Sequence, residues 1–159
     1  MDEITWPDRY DRPSDLDVIE TVPYAERGFP DTTLAAVERA ERLWPSRIAL
    51  SIMPSGEHWN EAVDLTYGEL AASVRSYANA LASLGVSRTD TVALVSPNTA
   101  QLIPALLGAQ AVSIAAPVNP ALREDHILHL LQAGNASVVV AAGPEIHPQL
   151  WAAAVAAAG

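Results

Sequence analysis

Three short apolar segments that alternate with helical patterns constrain the fold of this chain more than any other feature. We predict strands at Thr91–Val95, Val112–Pro117 and Ala136–Ala142, with helices over residues 99–112 and 122–133 between them. Because the links are short, consecutive strands must run in the same direction through right-handed crossovers. The pattern therefore predicts an α/β fold, a parallel β-α-β-α-β sheet with flanking helices.

The clearest helix signal lies just before this region, in LTYGELAASVRSYANALASLGV at residues 65–86. Thr66 and Glu69 have the spacing of a capping box, in which the hydroxyl and the carboxylate each accept from the other residue's backbone N–H. Gly85 stands where a left-handed residue is expected to end the helix. Together these features predict one long helix.

The N-terminal residues differ in composition from the rest of the chain. Residues 1–31 hold nine of the nineteen Asp and Glu, three Arg and four Pro, with little periodicity. We predict an acidic irregular extension over residues 1–31, and the first α/β portion of a larger domain over residues 32–159. At its start Thr33 is predicted to cap a helix, and residues 47–52 are predicted to pair with residues 64–65 as strands.

Composition excludes several classes of function. The net charge of −10 argues against nucleic acid, since phosphate binding needs a basic surface. No apolar run reaches the roughly 18 residues that span a bilayer, and the acidic start does not resemble a signal peptide. The chain has no cysteine, so disulfide and thiolate chemistry are excluded, and a cytoplasmic protein is expected.

Common catalytic and nucleotide-binding motifs are missing. The chain contains neither Gly-x-Gly-x-x-Gly nor Gly-x-Ser-x-Gly, and a phosphate-binding loop ending in Lys is impossible because there is no lysine. His126 and His129 could share a metal ion with Glu124 or Asp125. Their apolar neighbours favour helix packing instead, so we predict no metal site and no catalytic residue.

Asn98 and Asn119 carry a more specific signal. Both follow apolar predicted strands, in VSPN and APVNP, and so lie at the carboxyl ends of parallel strands. Ligands of open α/β sheets bind at this edge. An asparagine there can satisfy backbone groups of its own loop or contact a ligand, and the loop-bracing role is the more common one.

The order of these segments resembles the N-terminal part of the adenylate-forming (AMP-binding) superfamily. The similarity covers about residues 32–145 and rests on the LTYGEL helix start, on DTVALVSPNTAQLIPALLGAQAVSIAAPVNPALREDHILHLL and on ASVVVAA. The superfamily includes acyl- and aryl-CoA synthetases, peptide-synthetase adenylation domains and luciferases. The motif PVNP is more similar to the CoA synthetases, and the start of a peptide-synthetase adenylation domain stays the alternative.

The resemblance implies a two-step reaction for a full-length parent protein. A carboxylic acid attacks ATP in the presence of Mg²⁺ to give an acyl-adenylate, and CoA then displaces AMP to form a thioester. The lysines that the family uses lie downstream of the matched region. We therefore expect an N-terminal fragment of a ligase of fatty acid metabolism, inactive by itself and completed by the remainder of the parent ligase.

The resemblance also points to two site residues. In some relatives a basic residue directly after Asn-Pro holds the nucleotide end of CoA, but here that position is Ala121. Arg123 follows two residues later, so the resemblance implies a CoA edge formed by Asn119 and Arg123. The alternative is an Arg123 that pairs with Asp125 or faces solvent.

A function of a different class is a non-catalytic stand-alone module. A three-stranded sheet leaves apolar surface uncovered, which could bind a nucleotide or a partner, or allow self-association.

Overall fold

The computed structural model describes residues 11–53 and 55–158. The chain divides into two units, Met1–Asp31 and Thr32–Gly159. The described part of the first unit contains helix α1 (Pro13–Glu20) and a short 3₁₀ turn (Tyr24–Glu26).

Helix α1 corrects the prediction of an irregular extension. Pro13 opens the helix, where its fixed φ suits the first turn and its missing N–H costs nothing. The Asp15 carboxylate accepts hydrogen bonds from the backbone N–H groups of Asp11 (3.1 Å) and Arg12 (3.0 Å). Leu16 and Val18 remain largely exposed. The helix is thus stabilised by polar capping, which apolar periodicity does not reveal.

The second unit confirms the predicted α/β fold. Its elements are α2 (Thr33–Leu43), β1 (Ile48–Ile52), β2 (Val63–Thr66), α3 (Tyr67–Ser83), β3 (Thr91–Val95), α4 (Leu102–Val112), β4 (Ile114–Val118), α5 (Glu124–Ala133), β5 (Ala136–Ala141) and α6 (Pro148–Ala158). Strands β1 and β2 form an antiparallel pair, and the other three form a parallel sheet in the order β4-β3-β5.

Strand β3 is the centre of the sheet and of the hydrophobic core. Val92 and Leu94 pack on one face against α3 and α4, and Ala93 and Val95 pack on the other face with residues of α5 and α6. All four side chains are buried. An apolar run without alternation is typical of a parallel strand covered on both faces, as the sequence of β3 indicates.

Helix α2 begins one residue earlier than predicted. Thr32, rather than Thr33, is the N-cap: its backbone is extended and its hydroxyl accepts from the backbone N–H of Ala35 at 3.1 Å. Two adjacent threonines offer the same chemistry, so only the backbone conformation decides which of them caps the helix.

Helix α4 starts later than predicted because of Pro104. The helix begins at Leu102, which puts Pro104 in the first turn, where an N–H has no intrahelical partner. Neither Ser96 nor Asn98 caps it, since both precede the N-cap residue Gln101. Because α4 runs through Val112, strand β4 starts at Ile114 rather than at Val112.

The ends of α5 also differ in detail from the prediction. The helix begins at Glu124 instead of Leu122, and it stops at Gly134, which keeps a right-handed conformation with φ −80°. The left-handed residue is the next one, Asn135, at φ 47°. Asparagine is one of the few side chains that adopt this region readily. By contrast, Gly85 after α3 has φ 84°, as predicted.

A bidentate ion pair joins α2 to α3. The Arg75 guanidinium donates to both carboxylate oxygens of Glu41, at 2.7 and 2.9 Å. This hydrogen bonding lowers the pKa of Glu41 below its ordinary value and raises that of Arg75. Both side chains are partly exposed, at 43% for Arg75 and 29% for Glu41, so solvent screens the pair, which orients the two helices and adds little to stability.

The predicted capping box at the start of α3 is present. The Glu69 backbone N–H donates to the Thr66 hydroxyl at 3.2 Å, and the Thr66 backbone N–H donates to the Glu69 carboxylate at 2.9 Å. The backbone and hydroxyl donors of Thr66 lower the pKa of Glu69. Stability from these bonds is therefore complete above the unfolded-state pKa and is lost as pH falls through the folded-state pKa.

Thr66→Ala is expected to lower the free energy of unfolding by about 1 kcal/mol at pH 7, because it removes the cap. The difference from the parent protein should be smaller at an acidic pH than at pH 7, because the stabilisation is lost as pH falls through the lowered folded-state pKa of Glu69. Urea unfolding at the two pH values measures this difference in the free energy of unfolding. Ser76→Ala, at an exposed position within α3, is the control and should be neutral; an equal loss in the two variants would contradict the assignment.

Candidate functional site

The carboxyl ends of the three parallel strands lie at one edge of the sheet. The register pairs Val95 with Val118 and with Ala141, so the loops that follow these residues leave the sheet side by side. Ligands of open α/β sheets bind at such an edge. This edge is therefore the candidate functional site, and it has two separate parts.

The first part is a cavity of about 250 Å³ between the ends of β3 and β5 and the start of α4. Its apolar lining includes Leu94 and Ala105, which are buried in the core. Its polar lining includes Ser96, Thr99, Gln101 and Glu145, none of which the sequence predicts as a site residue. The cavity thus has an apolar floor, and hydroxyl, amide and carboxylate groups line the rest of its wall.

The loop after β5 brings Glu145 to this cavity. A Cβ atom on Gly143 would lie 2.4 Å from Glu145 Oε1, so a larger residue at position 143 would make the flexible end of this side chain move. The Gly143 carbonyl accepts from the backbone N–H groups of Ile146 and His147, each at 3.0 Å. His147 Nδ1 then accepts from the Leu150 backbone N–H at 3.2 Å in the first turn of α6. Buried Leu150 anchors this arrangement in the core.

The second part of the edge is the loop after β4, which contains Asn119. The Asn119 side-chain oxygen accepts from the Ala121 backbone N–H at 2.9 Å, and its carbonyl accepts from the Leu122 N–H at 3.3 Å. This is the Asx geometry in which asparagine replaces a backbone acceptor within a turn. Of the two roles open to Asn119, the structure therefore shows loop bracing.

Arg123 is the N-cap residue of α5 and points into solvent. Its guanidinium donates to Asp125 through Nε at 3.1 Å and through Nη2, while 74% of the Arg123 side-chain surface remains exposed. The guanidinium lowers the pKa of Asp125. Arg123 thus pairs with Asp125. Because an exposed ion pair is weak, an anion that binds the guanidinium more tightly can displace the Asp125 carboxylate.

The sheet order keeps the two parts of the edge apart. Strand β3 lies between β4 and β5, and among the described residues neither Asn119 nor Arg123 lines the cavity. Asn98 is exposed in the bend between β3 and α4. A position close to a strand end, which drew attention to the two asparagines, also marks Ser96 after β3 and Gly143 after β5.

Two negative findings concern the rest of the described chain. Across residues 11–53 and 55–158, no group of three or more His, Asp or Glu is placed to hold a metal ion, and this includes the residues around His126 and His129. Over the same residues, no helix is both long and apolar enough to cross a membrane.

Comparison with known proteins agrees with this architecture. The family model described as AMP-binding enzyme matches residues 37–158. The marinolic acid–CoA ligase of Pseudoalteromonas sp. (strain SANK 73390) is 30% identical over 143 residues, which cover 90% of this chain and 22% of that ligase.

Two solved structures show the same fold. A Mycobacterium tuberculosis fatty acyl CoA synthetase has a TM-score of 0.63 at 24% identity, covering 74% of this chain and 22% of that one. A benzoate CoA ligase from Burkholderia xenovorans LB400 has a TM-score of 0.63 at 24% identity, covering 80% and 24%. The chain thus spans between a fifth and a quarter of the length of these relatives.

The parallel sheet, with helices packed on both of its faces, defines an α/β protein. Because the family match covers most of the chain, the protein belongs to the family of AMP-binding enzymes. The resemblance to the adenylate-forming superfamily is confirmed.

Proposed function

We propose that this chain forms the first α/β portion of an ATP-dependent acyl-CoA ligase. The observation that carries the proposal is the family match over residues 37–158, which includes the whole parallel sheet and the PVNP loop at its edge. The names of the relatives above, which are CoA ligases or synthetases, support an acid–thiol ligase. We also propose a cytoplasmic location, which the composition predicts, and a role in fatty acid metabolism, which the resemblance implies.

The proposed reaction of the complete ligase has two steps. A carboxylate oxygen attacks the α-phosphorus of ATP, which releases pyrophosphate and gives an acyl-adenylate. The CoA thiol then attacks the acyl carbon, forms the thioester and releases AMP. Both steps develop negative charge, which cationic groups stabilise. Mg²⁺ supplies part of the positive charge when it is bound.

The described residues do not fit the ATP phosphates at the cavity. Glu145 is the charged side chain among the residues that line it, and a carboxylate repels a polyphosphate. The chain also contains no lysine. We therefore propose that this portion supplies the scaffold and the edge loops, that it is inactive by itself, and that the cations come from the remainder of the ligase.

The loop after β4 fits CoA better. Arg123 is an exposed cation beside a loop that Asn119 holds in shape, and a CoA phosphate can compete with Asp125 for its guanidinium. In this proposal Arg123 binds the phosphate and Asn119 acts as a positioning residue.

The function is tested on the polypeptide purified from its natural source. We expect ATP–pyrophosphate exchange that depends on a carboxylic acid and not on CoA, followed by AMP release that depends on CoA. Exchange that depends on an amino acid, without CoA-dependent release, would instead identify a peptide-synthetase adenylation domain. No exchange with any acid would reject both ligase functions.

Arg123→Ala is expected to weaken CoA binding and to raise the KM for CoA about fivefold, the effect of losing one exposed charge-assisted contact. The exchange half-reaction should keep its rate, since CoA takes no part in it. Arg88→Ala is the matched control, because Arg88 is an exposed arginine just before β3, at the amino-terminal ends of the parallel strands. Calorimetric titration with CoA gives a readout independent of turnover, and unchanged affinity would reject the role of Arg123.

A further inference from the structure

Helix α6 is capped by a histidine. His147 directly precedes Pro148, the first residue of α6, and its ring nitrogen Nδ1 accepts from the Leu150 backbone N–H at 3.2 Å. The His147 carbonyl accepts from the Trp151 N–H at 3.0 Å, which gives His147 the position of an N-cap residue. The side chains that usually cap helices are those of Ser, Thr, Asp and Asn, whose oxygens accept hydrogen bonds throughout the neutral pH range.

An imidazole ring differs from these side chains because it caps a helix only while it is neutral. With the proton on Nε2, Nδ1 has a lone pair for the Leu150 N–H, whereas both nitrogens of the protonated ring are donors. The protonated ring also puts a positive charge at the amino end of α6, which the helix dipole disfavours. Among side chains, imidazole ordinarily changes its charge between about pH 5 and 8. The cap is therefore present with the neutral ring and is lost as the pH falls through this range.

Few other titratable groups surround this cap. From residue 136 to the end of the chain, the titratable side chains are Glu145 and His147. Strands β3 and β5 and helix α5 share a hydrophobic cluster with α6, and neither strand has a titratable side chain. Helix α5 contributes exposed groups, which solvent screens: Glu124, Asp125, His126 and His129. His147 is thus the titratable group that contacts the first turn of α6 directly.

The capped N–H belongs to the residue that anchors α6. Leu150 is 4% exposed and lies in one cluster with Ile127 and Leu131 of α5 and with Ala142, directly after β5. The loop over residues 143–147 runs between the buried Ala142 and Leu150, and it brings Glu145 to the cavity. Opening of the first turn of α6 therefore releases one of the two ends that hold this loop.

We propose that His147 is a pH-sensitive cap that controls the approach of Glu145 to the cavity at the carboxyl edge. With the ring neutral, α6 is capped and the loop holds the Glu145 carboxylate among the lining residues. Protonation breaks the bond to the Leu150 N–H, the first turn of α6 opens together with the loop, and the carboxylate is no longer held at the cavity. The inference does not depend on the proposed ligase function.

Hydrogen exchange of the complete natural polypeptide, read by peptide mass spectrometry, tests the cap. We expect the protection of the amides of residues 149–156, corrected for intrinsic exchange, to fall about fivefold from about pH 7.5 to about pH 5.5, the effect of losing one N-cap. His147→Asn should abolish this response, because asparagine caps a helix without titrating. His129→Asn, at an exposed histidine on α5, is the matched control and should keep it. A parent protein with equal protection at both pH values, or a response that survives in His147→Asn, would overturn the proposal.

The loop supplies a separate readout of the coupling to Glu145. The N–H groups of Ile146 and His147 donate to the Gly143 carbonyl, each at 3.0 Å, so their exchange reports on the shape of the loop. In the parent protein we expect these two amides to lose protection in parallel with α6. The amides at positions 146 and 147 should keep their protection in His147→Asn. A helix α6 that opens at about pH 5.5 while both loop amides stay protected would overturn the control of Glu145.

Discussion

Replacing Gly108 by alanine is expected to destabilise the second unit by about 2 kcal/mol, although alanine is the better helix former. Gly108 lies in α4 where this helix crosses α3. A Cβ atom there would lie 2.6 Å from Tyr77 Cβ, 2.9 Å from the Val74 carbonyl oxygen and 3.1 Å from the Ala78 backbone nitrogen. Two of these contacts are with backbone atoms, so no change of rotamer relieves them and the helices must separate.

The sign of this effect depends on two opposing contributions. The higher helix propensity of alanine is worth about 1 kcal/mol, and overpacking of a close interface costs about 3 kcal/mol when the backbone must shift. Urea unfolding followed by circular dichroism measures the difference. Gly56→Ala is the control, because a Cβ atom at this position meets nothing within 4 Å. A Gly108→Ala variant as stable as Gly56→Ala would show that α3 and α4 do not pack this closely.

Leu94→Ala is expected to cost about 3–4 kcal/mol, the largest effect among the substitutions considered. Leu94 is 1% exposed in the central strand and packs in the same cluster as Leu81 and Ala105. The truncation removes its transfer free energy and leaves a void that the sheet cannot close. Leu94 also lines the cavity at the carboxyl edge, so the same variant should enlarge that cavity.

The matched control for Leu94→Ala is Leu84→Ala, since Leu84 is 70% exposed at the end of α3. The same change of side chain there should alter the free energy of unfolding by less than about 0.5 kcal/mol. If the two variants unfold at the same urea concentration, β3 is not the centre of the core.

The features that the sequence predicts correctly are those that local chemistry decides. Thr66 and Glu69 satisfy each other's backbone groups within one turn, and Gly85 takes a conformation that few other residues adopt. The sequence of β3 is apolar throughout because both of its faces are covered. The first two features depend on local backbone geometry alone, and β3 is predicted because the burial of both faces is written directly into its apolar sequence.

The errors in the predicted helices arise where two local structures are nearly equal in free energy or where no apolar pattern marks the helix. Thr32 and Thr33 can both cap α2, and the choice depends on the backbone that precedes them. Pro104 allows a kinked helix or a later start, and the later start leaves no hydrogen bond broken. Helix α1 was missed because capping by Asp15, not an apolar face, stabilises it.

The candidate site could be only partly predicted, for a tertiary reason. The position of Asn119 after a strand points to the carboxyl edge, where the cavity lies, but Glu145 reaches that cavity only through the loop between β5 and α6, which buried Leu150 anchors. These are tertiary contacts between separate segments, and no short sequence motif predicts that the segments lie close together. The pairing of Arg123 with Asp125, two residues apart, was by contrast within reach of the sequence.

The most direct test of the central claim is the intact mass of the natural polypeptide, measured on the preparation that is assayed for acid-dependent ATP–pyrophosphate exchange. The account predicts exchange by a species several times heavier than the 16.9 kDa of this chain, and none by the 159-residue chain alone. A natural species of 16.9 kDa that catalyses exchange would contradict it, because this chain would then supply the chemistry as well as the scaffold.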